Sequence, residues 1–465
     1  MEEYIKIIVS PEGLLSLTIL YLIIHGIQYF TLKLSMGVVI IMIVLQFYNK
    51  SDYSQFYEIT NGFLVSNNWI MVSKIIIIFG GLLILLINKN GEKEKSSNIV
   101  PVLILVVILS SIFLVSSENW LTVYLSIELL TLSLLILITI KQNSVLGAEA
   151  GIKYFVLGAV SSGLFLFGCV LIYGLTSEIS IQGGELTKIN ENAGKTLITI
   201  SLLFKLSVAP FHMWAPDVYE GSPTAVTALV ATVPKIGMFS ILAQIGPIYN
   251  ILIICAGLSM IVGAIGGLNQ TKIKRLLAYS GIGHMGFIVF GVGNGCLEGY
   301  QASLVYIIIY TIMVICSFSI ILSLNLKKNL LSELSNVSRL NPVIGGTLSL
   351  VFLSMAGVPP LIGFLNKWLI IQAGIINQYY LMSIIAVVSS VVAGINYVRV
   401  VKIIYFQIDS ALFIWNKVLN INNIYVKNGT LNLKRAIIIG GSFYVVLFLM
   451  ICPNILLRLT HGLFI

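Results

Sequence analysis

Runs of about 20 consecutive apolar residues, each long enough to cross a hydrocarbon core about 30 Å thick, recur from one end of this chain to the other. The run at 99–116, IVPVLILVVILSSIFLVS, has no polar face to offer water. Composition agrees, with 58% of the 465 residues hydrophobic, only 10% charged and a mean hydropathy of +1.00. The expected fold is therefore an all-α polytopic membrane protein, and water-soluble classes are excluded. The net charge of +9 does not point to nucleic acid, because the basic residues are scattered through short loops and form no face or run. Cys169, Cys255, Cys296, Cys316 and Cys452 stand apart, with no CxxC pair and no metal-ligand spacing, and read as core residues. The opening MEEYIKIIVSPEG is short and acidic at its start, unlike a cleavable signal or a transit segment.

About fourteen transmembrane segments are expected, at 12–31, 33–48, 69–88, 99–116, 119–140, 151–174, 196–214, 223–246, 248–268, 276–294, 300–324, 342–374, 379–406 and 436–457. The hydrophilic interruptions at 49–68, 176–195 and 407–435 are too short for a separate domain. Loops after odd-numbered segments hold 18 of the 27 Lys and Arg residues, while loops after even-numbered segments and the two termini hold six, counting Lys74. By the positive-inside rule the odd loops face the cytoplasm or matrix and both termini face outward.

The remaining three basic residues, Lys205, Lys235 and Lys367, fall inside apolar segments, as does Glu128 in LSIELLTL. An ionised group at the bilayer centre costs about 2.5–3.5 kcal/mol on insertion scales, so such groups turn to a protein interior and mark ion or substrate paths. At 1.5 Å per residue, Lys205 lies about 16 Å from Pro216, Lys235 about 18 Å from Pro223, Glu128 about 14 Å from Asn119 and Lys367 about 15 Å from the outer end of its segment. All four are expected near the midplane, too deep to snorkel to a surface. Burial and a nearby carboxylate pull a lysine's protonation in opposite directions, which makes the proton exchangeable. Lys205 and Lys235, on antiparallel neighbouring segments, are expected close together. His284, about 14 Å into the tenth segment, and His212, near the inner mouth, are further relay candidates. His25 reads as structural and His461 as solvated. The stretch 212–223 carries Asp217 and Glu220 and is expected to have no basic neighbour, as an inner proton entrance would. No nucleophile with its base, metal cluster or phosphate loop is evident.

Two segments are broken. The seventh breaks at Pro210, in FKLSVAPFHMWAPDVYEGSP, and the twelfth around Gly357, Pro359, Pro360 and Gly363. Broken helices at membrane depth are tolerated only where protein or trapped water satisfies the freed backbone groups. If segments 4–8 and 9–13 are two repeats, each break falls in the fourth helix, and five helices per repeat force the inverted arrangement seen in many transporters. The expected organisation is 1–98 as N-terminal helices, 99–247 and 248–408 as the two inverted repeats, and 409–465 as an inner-side loop with the last helix. In that register Glu128 pairs with His284 and Lys205 with Lys367, while Lys235 has no counterpart.

These motifs carry a resemblance. FKLSVAPFHMWAPDVYEGSPTAVTA, PKIG, QTKIKRLLAYSGIGHMGF, EAGIKYFVLGAVSSGLFLFGC and AGVPPLIGFLNKW, spanning segments 4 to 13, resemble the antiporter-like membrane subunits of NADH:quinone oxidoreductase, respiratory complex I. The APDVYEGSP ending differs from the histidine-bearing pattern of sister subunits 4 and 5. The resemblance implies a proton-pumping module in which Glu128, Lys205, Lys235 and Lys367 match the buried charges of the family. It implies no cofactor in this chain, with NADH, FMN, iron–sulfur clusters and ubiquinone handled by other subunits. It also implies partners among the membrane-arm subunits, including antiporter-like subunit 4 and the small membrane subunits, with the lipid bilayer around them. An Ile-, Asn- and Lys-rich composition and the wording of the APFHMWAPDVYEGSP stretch favour the mitochondrial inner membrane. The competing readings are a cation/proton antiporter outside any respiratory enzyme, the corresponding subunit of a bacterial or plastid complex, and a structural spacer whose charges only hold helices together.

Overall fold

The computed structural model describes residues 10–24, 31–48, 64–65, 67–88, 99–141, 144–181, 191–246, 248–324, 326, 328–335, 337–406 and 433–461. His25, most of the expected inner-side loop, and Lys6, Lys50, Lys89, Lys93, Lys95, Lys188, Lys327, Lys417 and Lys427 lie outside the described residues. Among those described the chain is helical, and extended pairing is confined to isolated bridges such as Asn119 with Ser180. Among the described residues, nine helical spans are long and apolar enough to cross a membrane, and five further apolar helices are shorter. The chain is thus a multi-pass, all-α membrane protein. It divides into two compact units, Met1–Cys255 with His461–Ile465, and Ala256–Thr460.

The first unit holds α1 (Pro11–Ile24), α2 (Thr31–Tyr48), α3 (Asn68–Ile87), α4 (Ile99–Ser116), α5 (Trp120–Ile138), α6 (Val145–Thr176), α7 (Glu191–Lys205), α8 (Trp214–Gly221), α9 (Thr224–Ala231) and α10 (Val233–Gln244). The span made by α9 and α10 is 94% buried, whereas α6 is 33% buried, so α9–α10 lies at the centre and α6 at the rim. Small residues set the approach of α6 to α7: a Cβ on Gly168 would lie 2.9 Å from the Gly194 carbonyl oxygen, and one on Gly194 would lie 2.9 Å from that of Gly168. Without a hydrophobic drive between helices in lipid, such close backbone packing is what holds them. Serines in the apolar runs satisfy their hydroxyls on the preceding turn, as Ser110 does on Val107 O at 2.9 Å and Ser201 on Ile198 O at 2.7 Å.

The boundary between the units falls within α11 (Tyr249–Leu268). The second unit continues with α12 (Ile273–Gly293), α13 (Leu297–Leu324), α14 (Pro342–Ala356), α15 (Ile362–Ile376), α16 (Tyr380–Phe406), α17 (Leu433–Ile451) and α18 (Pro453–His461). Here α12 and α13 are mostly buried, while α16 exposes Leu381, Ile384, Val388 and Val391 along one side. Gly263 of α11 and Gly283 of α12 repeat the close approach of small residues.

Two sequence expectations change. Lys74, counted as a loop residue, is buried inside α3, where its Nζ pairs with Glu12 Oε1 of α1 at 2.5 Å. The eighth segment is not continuous: α9 stops at Ala231 and α10 starts at Val233, because Pro234 has no N–H and its ring crowds the preceding turn. A uniform rise of 1.5 Å per residue therefore holds for Glu128 within α5 but not across residues 206–213 to Lys205, nor across Thr232 to Lys235.

Candidate functional site

In the first unit the site begins where α7 ends. Ser207 takes a left-handed conformation with φ 60°, Val208 N–H donates to Leu203 O at 3.1 Å and Ser207 N–H to Phe204 O at 3.1 Å. This is a Schellman ending, which satisfies carbonyls that the broken helix would leave bare. The indole Nε1–H of Trp214, from α8, donates to the same Phe204 oxygen at 3.0 Å. Lys205 is the last residue of α7, so its backbone sits at the electronegative end of that helix. Its Nζ donates to Gly158 O of α6 at 3.3 Å.

Glu128 faces α6 from α5. It lines a cavity with Thr131, Leu135, Tyr154, Phe155, Gly158 and Ser162, and Thr131 Oγ1 donates to its Oε2 at 3.4 Å. Lys205 lines a second cavity with Tyr154, Gly158, Trp214, Pro234 and Met238. Both cavities are large enough to take water. Tyr154 and Gly158 belong to the two at once, and Glu128 acts electrostatically on both Lys205 and Tyr154. The structure thus brings Glu128 and Lys205 to adjoining spaces. Tyr154, buried with its ring edge-on to Trp214 at 5.6 Å, was missed from sequence because a lone aromatic in an apolar helix carries no distinguishing signal.

Lys235 occupies the first turn of α10, just beyond the break at Thr232, and is 2% exposed. Its ammonium lies 5.9 Å from the centre of the fully buried Tyr219 ring, a cation–π placement. Its neighbours on α10, Pro234 and Met238, line the cavity at Lys205. His212 is half-buried in the turn between α7 and α8 and is not among the residues lining either cavity. The expectation that 212–223 lacks a basic neighbour is wrong: Lys153 of α6 donates to Asp217 Oδ2 and to Glu149 Oε1, both at 2.6 Å. Packing of α8 on the first turns of α6 makes this pair, which spacing alone does not reveal.

The second unit has its own break. Gly357 is left-handed with φ 86°, Val358 N–H donates to Leu353 O at 3.2 Å and Gly357 N–H to Ser354 O at 3.0 Å, again a Schellman ending. Lys205 precedes its break, whereas Lys367 follows one, but Lys367 Nζ reaches back to donate to Ala356 O, the last carbonyl of α14, at 2.7 Å. An ammonium there meets the electronegative end of the helix. The same Nζ lies 5.7 Å from the centre of the Phe287 ring. Lys367 and His284 line one cavity together with Ser280, Met355, Ser389 and Tyr397. His284, 4% exposed, has Nδ1 at 2.7 Å from Tyr306 Oη and Nε2 at 3.3 Å from Tyr397 Oη. Each mid-segment lysine proposed from sequence, half-buried Lys205 and buried Lys235 and Lys367, therefore stands at or reaches a helix break.

Residues 117–393 match the sequence profile described as NADH:quinone oxidoreductase/Mrp antiporter, TM. The chain is 56% identical over 367 residues to NADH-ubiquinone oxidoreductase chain 2 of Metridium senile, covering 76% of this chain and 93% of that protein. It is 35% identical over 372 residues to the chain of the same name in Marchantia polymorpha, covering 76% and 73%. Against NADH-quinone oxidoreductase subunit N of Pelagibacter ubique it is 39% identical over 312 residues, covering 63% and 66%. Among solved structures, a chain of respiratory complex I from Thermus thermophilus superposes with a TM-score of 0.82 at 24% identity, covering 97% of this chain and 98% of that one. A chain of the Mrp complex from Dietzia gives 0.83 at 18% identity, covering 98% and 96%, a likeness of fold.

Proposed function

The chain belongs to the NADH:quinone oxidoreductase/Mrp antiporter transmembrane family, and we propose that it is the proton-translocating subunit 2 of the membrane arm of NADH:ubiquinone oxidoreductase. Protons move through Glu128, Lys205, Lys235 and His212 in the first unit and through His284 and Lys367 in the second. Electron transfer from NADH to quinone belongs to other subunits, as do NADH, FMN, iron–sulfur clusters and ubiquinone. The observation that carries this reading is the pair of adjoining cavities holding Glu128 and Lys205, joined by Tyr154 and Gly158 at the end of a broken helix. A carboxylate and an amine in water-sized spaces, inside a protein interior, form a site where a proton is exchangeable.

Fourteen crossings follow if α7 with α8, α9 with α10 and α14 with α15 each make one discontinuous span and the nine-residue α18 does not cross. The repeats 99–247 and 248–408 then each hold a Schellman break in their fourth helix. The partners are other membrane-arm subunits, including antiporter-like subunit 4, and the site of action is the mitochondrial inner membrane, which the identity to the Metridium chain supports.

Two measurements test this. On a native gel the chain should migrate within a very large NADH-oxidising assembly, and migration alone with sodium–proton exchange would instead assign an independent antiporter. In the assembled enzyme, Lys205→Ala should lower proton pumping and NADH:quinone turnover together. Normal pumping by an intact Lys205→Ala enzyme sinks the relay.

A further inference from the structure

His284 is held at both ring nitrogens by tyrosines from two other helices, Tyr306 on α13 at 2.7 Å and Tyr397 on α16 at 3.3 Å. All three side chains are buried, at 4%, 1% and 2% exposure, so no bulk water competes for these contacts. Ser280, which lines the same cavity as His284 and Tyr397, satisfies its own hydroxyl on Leu277 O at 2.7 Å. With the imidazole as its Nε2–H tautomer, Tyr306 donates to His284 Nδ1 and His284 Nε2–H donates to Tyr397, whose own hydrogen is then free to turn toward the cavity. Tyr397, His284 and Ser280 line the cavity that also holds Lys367, while Tyr306 lies on the far side of the imidazole, stacked at 6.0 Å on Phe287.

We infer that Tyr306, His284 and Tyr397 form a proton wire that joins α13 to the Lys367 cavity, so the two tyrosine hydroxyls are members of the second unit's path. This rests on the relay reading of His284 and Lys367 and adds to it the route by which protons reach them. A proton arriving on Tyr306 Oη displaces that hydroxyl's own proton to Nδ1. The Nε2–H bond then breaks as a new O–H bond forms on Tyr397, whose original proton leaves to the cavity and is taken up by Lys367 when its side chain has given up a proton and stands as the neutral amine, which becomes the ammonium again. One bond forms for each that breaks, no electron moves, and every member of the wire ends neutral. The imidazole is left as the other tautomer and must reorient before the next passage. An imidazole between two hydroxyls can do this because one nitrogen accepts while the other donates, and the two exchange roles when the ring changes tautomer.

The test uses the assembled enzyme carrying Tyr306→Phe, Tyr397→Phe or His284→Gln. The Phe variants keep ring volume and the stacking on Phe287 but lose the hydroxyl. The Gln variant keeps a donor and an acceptor but has no tautomer to exchange, so it separates carrying a proton from merely bridging helices. All three are expected to assemble on a native gel and to lose coupled turnover and pumping by about a hundredfold or more, the range of a lost proton-transfer step. Full turnover and pumping in either Phe variant, or in His284→Gln, overturns the wire. Where one variant fails to assemble the others decide, and failure of all three assigns the trio to holding the helices together and overturns the wire as well. Lys205→Ala measured alongside separates the two levels. Impaired Lys205→Ala with normal tyrosine variants removes only the wire, whereas normal pumping in Lys205→Ala removes the relay beneath it.

Discussion

At the scale of single residues, the polar groups in this apolar chain differ in what satisfies them. Phe204 O, freed by the break, accepts from both Ser207 N–H and the Trp214 indole, so Trp214→Phe leaves the packing and removes one donor. Loss of that bond is expected to cost about 1–3 kcal/mol and to lower the thermal stability of the assembled subunit. The buried Glu12–Lys74 pair gives a sharper test. Removing one partner strands a charge in the interior and is expected to cost about 3–5 kcal/mol, whereas an apolar replacement of both is often neutral. Glu12→Leu and Lys74→Met are therefore each predicted to reduce assembled enzyme on a native gel, and the double variant to restore it. If the double variant stays as poor as the singles, the pair does more than balance its own charge.

At the scale of elements, the breaks dominate. Gly357 combines a left-handed φ with a tight surrounding, since an added Cβ would lie 3.0 Å from Lys367 Cδ and 3.2 Å from its Nζ. Gly357→Ala is expected to displace the Lys367 ammonium from Ala356 O and to depress turnover with modest loss of assembly, while Ser207→Gly should be tolerated because glycine reaches the same φ more easily. Steady-state turnover in native membranes distinguishes the two. The helices themselves and the breaks at Pro210 and Gly357–Pro360 were legible in sequence, because apolar run length and Pro–Gly punctuation are local signals. The break at Thr232 was not read, although Pro234 announces it, because the apolar run around it continues without interruption. Glu12–Lys74, Lys153–Asp217 and the tyrosines about His284 were out of reach for a different reason. Each depends on which helices become neighbours, and periodicity along one helix carries no information on that.

At the scale of the whole molecule, each unit sets its polar groups within a mostly apolar core and turns a further apolar face outward, unlike a soluble domain. The rim helix α6 shows the contrast along its own length: Gly163 has nothing within 4 Å of an added Cβ, whereas Gly168 meets α7 at once. Gly163→Ala is expected to be silent and Gly168→Ala to reduce assembled enzyme, a comparison read directly from native-gel yield. Equal yields would show that the α6–α7 approach is not what sets the first unit's packing. The Trp214 indole adds a consequence of another kind. Its N–H is tied to the carbonyl beside Lys205, and indole emission shifts with the hydrogen bonding of that N–H. With the other four of the chain's five tryptophans replaced, its fluorescence becomes an optical readout of the α7 break, so opening of the helix end during turnover is visible as a change in colour instead of inferred from rates.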